Sequence, residues 1–207
     1  MDINRFAVLL RAQRLTLFGS RDLAVLLPAQ DRRLSAVQLH QWTRKGWVRR
    51  LKRGLYELAY PEAVAVADLF VANRLYDPSY VSLETALSHY QLIPETAAQV
   101  TSVTTKPTRR FRNAHGLFTY FTIRPAAFAG IRLITLQGAA VRIAEPEKAV
   151  VDRLYAGLRR GEALDLPHGR WDRRALRRLK RDKLRAYAGL FGAASARLEA
   201  RVDALVR

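Results

Sequence analysis

The chain contains no cysteine. That excludes disulfides, thiolate metal sites and a cysteine nucleophile, and it suits a reducing compartment. Acid is scarce: 18 Asp and Glu stand against 36 Lys and Arg, a formal net charge of +18 over 207 residues. A field of that sign attracts polyanions such as DNA, RNA or an anionic membrane surface, and does not choose among them. No apolar run approaches the roughly 20 residues of a membrane span. No apolar stretch follows a basic start, as a signal peptide requires. The expectation is a cytoplasmic protein that does not enter a membrane.

Ligand motifs are missing as well. His40, His89, His115 and His168 never pair at a metal-ligand spacing, so each reads as a surface or packing residue. There is no G-x-x-x-x-G-K-[ST], no G-x-G-x-x-G and no G-x-S-x-G. No cofactor, metal or catalytic residue is expected.

What the chain does have is apolar content, 49% of residues, enough for a substantial core. Ile3, Phe6, Leu9, Leu10 and Leu15 recur at near-helical spacing over residues 2–15. Ser20 is placed to cap a short helix over Arg21–Leu27, ended by Pro28. A third helix is expected over about Leu34–Lys45, with Leu39 and Trp42 on its inner face and Gly46 as its terminator. Trp47–Leu51 and Leu55–Leu58 flank a Lys-Arg-Gly turn and read as a hairpin. Three helices and a hairpin, in that order, make a winged helix-turn-helix.

Beyond Pro61 the pattern predicts an α+β region. Residues 62–76 read as a buried helix that includes Val64. Ser82 is placed to cap a helix carrying Leu83, Ala86, Leu87 and Tyr90. Gln99–Thr105 and Leu117–Ile123 are rich in β-branched and aromatic residues, as strands are. Ile131–Leu136 and Ala140–Ala144 flank Gln137-Gly138, a hairpin turn. Pro146 and Glu147 open another helix, where proline and acids are favoured. Arg170–Arg185 holds nine basic residues and two aspartates, with Trp171, Ala175, Leu176, Leu179 and Tyr187 as a helical apolar stripe. A last helix is expected over about Ala193–Val206.

Nucleic-acid binding is the chemistry these residues support. Gln38, His40, Gln41, Arg44 and Lys45 fall on exposed faces of the third helix, and Arg49, Arg50, Lys52 and Arg53 on the hairpin. Amide side chains can bond adenine edges, and Arg can bond guanine O6 and N7. Arg170, Arg173, Arg174, Arg177, Arg178 and Arg181 offer a second cationic stretch, suited to RNA, to DNA phosphates or, as a basic amphipathic helix, to a membrane surface. A rival from another class is a metal-dependent nuclease using Glu84 and Lys106. Its strand offers threonines where Mg²⁺ would need carboxylates.

Five stretches resemble the AbiEi family of antitoxins from type IV toxin–antitoxin systems. They are "GWVRRLKRGLYEL" (46–58), "PSYVSLETALSHYQLIPE" (78–95), "VTSVTTK" (100–106), "GLFTYFTI" (116–123) and "IAEPEKAVVDRLY" (143–155). Together they cover about Phe18 to Tyr155. The resemblance implies a winged helix-turn-helix domain over 1–60 that binds inverted repeats in its own promoter. It implies an α+β antitoxin domain over 61–207, with a basic helical tail, that counteracts a nucleotidyltransferase-type toxin without a stable complex. It carries DNA contact onto the third-helix and hairpin residues named above and transfers no catalytic residue. Some relatives with this pair of domains serve as plain regulators.

Overall fold

In a computed structural model, residues 2–26, 32–94, 98–162 and 171–206 are described. The molecule is a mixed α+β protein with two sheets. The first 60 residues form α1 (Ile3–Ala12), β1 (Leu17–Gly19), α2 (Ser20–Leu26), α3 (Arg32–Arg44), β2 (Val48–Lys52) and β3 (Leu55–Leu58). Asp2 starts α1 by accepting from the Arg5 amide at 2.9 Å. Gly46 ends α3 in the left-handed region at φ +74, with Gly46 N bonding Thr43 O and Trp47 N bonding Trp42 O. These are the paired bonds of a Schellman end. Asp22 accepts from Gly19 N at 2.7 Å ahead of α2. Ser20 opens that helix, but its side chain, Leu27 and Pro28 lie outside what is described.

Phe6 holds this region together. Its ring meets Phe18 edge-on at 5.3 Å and Trp42 at 5.0 Å. Ile3, Leu10, Leu39, Val48 and Leu58 close around them. The three-stranded sheet has the order β1-β3-β2 and is antiparallel throughout.

The second region contains α4 (Asp68–Leu75), β4 (Ser79–Val81), α5 (Leu83–His89), β5 (Val100–Thr104), β6 (Arg109–Asn113), β7 (Gly116–Thr122), β8 (Ile131–Leu136), β9 (Ala139–Ala144) and α6 (Pro146–Arg159). Then follow α7 (Arg173–Arg177), α8 (Arg181–Gly189) and α9 (Ser195–Leu205). Its six strands run β6-β7-β5-β4-β9-β8. The β4–β9 and β5–β7 pairs are parallel and the others antiparallel. All three residues of β4 are buried, so this central strand is covered on both faces.

Three expectations need correction. The helix over residues 62–76 is only Asp68–Leu75, and Val64 is 50% exposed. β-Branched Val64 and Val66 disfavour helix, and residues 62–67 run non-helically into α4. The basic stretch Arg170–Arg185 is not one helix. Glu147 Oε1 takes the Lys180 amide at 3.1 Å, and Lys180 is extended between α7 and α8. Arg170 lies outside the described residues. Ser82 stands before α5 but makes no cap bond.

The Ser82 hydroxyl instead donates to Asp152 Oδ2 at 2.8 Å, beside the Tyr80 hydroxyl at 2.9 Å. Asp152 Oδ1 pairs with Lys148 one turn back on α6. All four residues are buried. Burial pushes the Tyr80 phenol well up, with Asp152 adding to the shift. Burial lowers the Lys148 ammonium, against the pull of Asp152. Next to this cluster Leu83 adopts φ +56, a strained backbone for a branched side chain. Thr101 Oγ1 bonding Ser82 O at 2.8 Å helps to hold it there.

Asp152→Ala would leave a buried ammonium and two hydroxyls without their acceptor. The expected loss in urea unfolding is about 3–5 kcal/mol. The pair Lys148→Met with Asp152→Asn keeps an acceptor for both hydroxyls and removes both charges, so it should lose much less. Equal losses would show that the charge pairing is not what matters.

Candidate nucleic-acid interface

A helix that buries Leu39 and Trp42 must turn the positions between them outward. On α3 the exposed residues include Val37, His40, Gln41 and Arg44, at offsets of three, four and seven. They form one stripe, and Lys45 is exposed at its end. Lys45 Nζ rests 4.5 Å from the Trp47 ring centroid, a cation–π seat. Gln38 is half-buried, off the stripe's centre.

Val37 is not among the residues that the sequence singles out, because residue type alone does not mark an apolar side chain as exposed. It is 59% exposed. The signal that could have found it is its spacing, in phase with Gln41 and Arg44 rather than with Leu39 and Trp42.

The hairpin continues this surface. The β2–β3 register slips between Arg50 and Lys52, so Arg49 and Arg50 are both exposed while Leu51 turns in. Arg53 is exposed at the tip, and Gly54 takes φ +78 in the turn. Arg49 Nη1 lies 3.7 Å from Glu57 Oε2 and is partly neutralised. No acid pairs with Arg44, Arg50 or Arg53 among the described residues.

Lys52 differs from its neighbours. It is half-buried, with Nζ 5.9 Å from the Phe111 ring on edge strand β6. Burial lowers its pKa first, and Lys106, Arg109 and Arg74 lower it further. It faces the second region and belongs to the seam between the two sheets.

That seam is built from polar contacts that run from the buried Glu57 out to the exposed Asp68. His115 Nδ1 lies 3.0 Å from Asp68 Oδ1, and its Nε2 lies 3.2 Å from the buried Glu57 without hydrogen-bond alignment. Asn113 Nδ2 donates to Leu51 O at 3.4 Å. His115 is therefore a packing residue in an ionic joint. His40 and His89 are exposed, and His168 is outside the described residues.

The second cationic stretch is divided. Arg173, Arg174, Arg177 and Arg178 are exposed on and just after α7. Arg181 begins α8 and donates to Val206 O at 2.8 Å. Lys183 pairs with Glu145 and Arg185 with Asp203. Lys183 holds the Glu145 carboxyl below its usual range, and burial with the Glu145 bond pushes Tyr187 up to about 12. α8 packs on α6 and α9 as part of the fold.

The two residues of the nuclease reading go to different partners. Glu84 pairs with Arg153 Nε at 2.9 Å, and Lys106 Nζ donates to Asp77 O. β5 between them contributes Thr101, Ser102 and Thr104. Among the described residues no three His, Asp or Glu cluster as metal ligands. No helix among them is long and apolar enough to cross a membrane.

Comparison with known proteins adds to the fold. No protein-family model matches the chain, and no curated protein matches it. A crystal structure of the RV2827C protein from Mycobacterium tuberculosis is similar, with a TM-score of 0.56 at 15% identity. The match covers 98% of this chain and 80% of that one. At that identity the likeness shows a shared fold and nothing more.

Lys52→Met should keep the packing against Phe111 and remove a charge crowded by other cations. The depressed pKa means that the charged form is less favoured in the folded state than in the unfolded chain. Replacement should therefore raise the urea midpoint slightly, by less than about 1 kcal/mol after solvent screening. A lowered midpoint would show that the ammonium stabilises the seam.

Proposed function

We propose that the chain is a winged helix-turn-helix DNA-binding autorepressor and the antitoxin of a type IV toxin–antitoxin system. In this reading residues 1–60 are the DNA-binding domain and residues 61–207 the antitoxin domain, acting in the cytoplasm. The observation that carries the DNA half is the α3 stripe of Val37, His40, Gln41 and Arg44, flanked by Arg49, Arg50 and Arg53. A helix with polar and basic groups outward can enter a major groove, while the hairpin cations meet phosphates. Arg44 and Gln41 have the groups to read base edges, and Val37 offers a methyl-sized contact for thymine. The ligand is double-stranded DNA, with inverted repeats in the chain's own promoter as the expected operator.

The antitoxin half is supported by the resemblance of residues 78–155 to the AbiEi family. In the fold those stretches supply Tyr80, Ser82, Lys148 and Asp152, a buried cluster without solvent access. Their contribution is a rigid scaffold. Neutralisation of a nucleotidyltransferase-type toxin would then use the surface that this scaffold presents.

Gel-shift titration of the full chain on its upstream DNA tests the first half. Arg44→Ala should weaken operator binding by about 1–3 kcal/mol and relax base preference. Val37→Ser should cost less, at a single position. Arg53→Ala should weaken operator and random duplex alike. With about six phosphates neutralised, the log–log salt slope should be about −5. Equal losses on both duplexes for Arg44→Ala would refute the assignment of base reading. Co-expression with a neighbouring nucleotidyltransferase gene tests the second half. Relief of its toxicity is expected, and persistent toxicity would remove the antitoxin reading.

A further inference from the structure

A cleft of about 460 Å³ opens where the first region, the connecting segment and the second region meet. Its volume falls within the roughly 300–1,000 Å³ of small-molecule clefts. Leu15, Leu17, Leu58, Val66 and Phe70 supply apolar walls. Three arginines line it, Arg11, Arg14 and Arg74, and no Asp or Glu does.

The three guanidinium groups are not equivalent. Arg11 Nη2 donates to Tyr60 O at 3.0 Å. Arg74 Nη2 reaches Asp22 Oδ2 at 3.3 Å. The Arg14 backbone N–H bonds Arg11 O at 2.9 Å, but its guanidinium has no hydrogen-bond or ionic partner among the described residues, and the residue is exposed. It follows α1 with φ +53, a left-handed backbone that arginine adopts at a cost. One guanidinium is thus left with its donor fork unmatched, above an apolar floor.

We propose that this cleft binds a small organic acid, with a single carboxylate on Arg14 and an apolar body against Phe70, Val66 and Leu58. A planar carboxylate matches the guanidinium fork in a bidentate pair. A lone head group suffices, because Arg11 and Arg74 already have acceptors. The apolar walls reward a hydrocarbon body and disfavour a fully hydrated inorganic anion. The net charge of the chain raises the local concentration of anions. The lining comes from α1 and β1, from residues 64–67, from α4 and from the β8–β9 turn, so an occupant touches both regions at once. The site stands whether or not α3 binds DNA.

Isothermal titration and thermal shift of the full chain test it without DNA. The probes are 1-naphthoate, 3-phenylpropionate and cyclohexanecarboxylate, each beside its neutral amide. At least one carboxylate should bind saturably at or below millimolar concentration and raise Tm. Its amide should bind about tenfold more weakly, a loss of about 1.4 kcal/mol. Arg14→Gln should reduce the acid to the affinity of the amide and leave the amide unchanged. Ala140→Trp, at an exposed lining position on β9, should block both. The proposal is overturned if no carboxylate saturates, if acid and amide bind equally, or if Arg14→Gln has no effect. Unchanged binding in Ala140→Trp would place the ligand elsewhere and overturn it as well.

Discussion

The second region depends on one buried carboxylate. Asp152 lies in the protein interior and receives Lys148, Tyr80 and Ser82 around it. A carboxylate in so apolar a setting is tolerable only when it is paired and hydrogen-bonded. Satisfying it forces α6, β4 and the start of α5 into one relative position. The strained Leu83 follows from that, since Ser82 is drawn toward Asp152 and cannot cap its own helix. Lys148 Nζ also lies 4.9 Å from the Phe191 ring, so the segment just after α8 is seated against the same group. Hydrophobic burial gives this region most of its stability, and the charge cluster gives it one arrangement.

The joint between the two sheets works by similar means and is more exposed. Leu17, Leu51 and Leu55 belong to the hydrophobic cluster of the second region although they come from the first. Glu57, His115 and Asp68 add a line of polar contacts beside them. The hairpin is thereby pressed onto β6, and its outer cations keep a fixed place relative to the larger body. The seam also accounts for Lys52, which sequence spacing puts with Arg53 but packing puts with Phe111.

Local signals explain what could be read from the sequence. α1, α3, the β2–β3 hairpin and the β8–β9 hairpin each announce themselves by periodicity and by a glycine at the turn. Short strands do not. β1 and β4 have three residues each and exist because a partner strand lies alongside. β6 reads Arg-Arg-Phe-Arg-Asn and forms an edge, where charge is favoured against aggregation but hides the strand pattern. Lys148 and Asp152 look like an ordinary surface pair one helical turn apart, and only the tertiary fold buries them. The break between α7 and α8 was invisible for the same reason, since its cause is Glu147 on another helix. In the interface the cations were legible and Val37 was not, because exposure is not a property of residue type.

The charge of the chain is not spread evenly over its pairings. In the second region Arg142 pairs with Asp77, Arg153 with Glu84 and Glu162, Lys183 with Glu145, and Arg185 with Asp203. The first 60 residues have only Asp2, Asp22, Asp31 and Glu57 as acids. Asp22 is turned to Arg74, and the buried Glu57 is shared between Arg49 and His115. Arg44, Arg50 and Arg53 face solvent with no counter-charge among the described residues. Like charges so placed repel and give the fold nothing in return. Salt screens that crowding in part, and in the proposed reading an extended polyanion would lie along the helix stripe and the adjoining hairpin. Arg14 is the same situation at a smaller scale, one guanidinium without a partner among the described residues at an apolar cleft, where the proposed single carboxylate would match it.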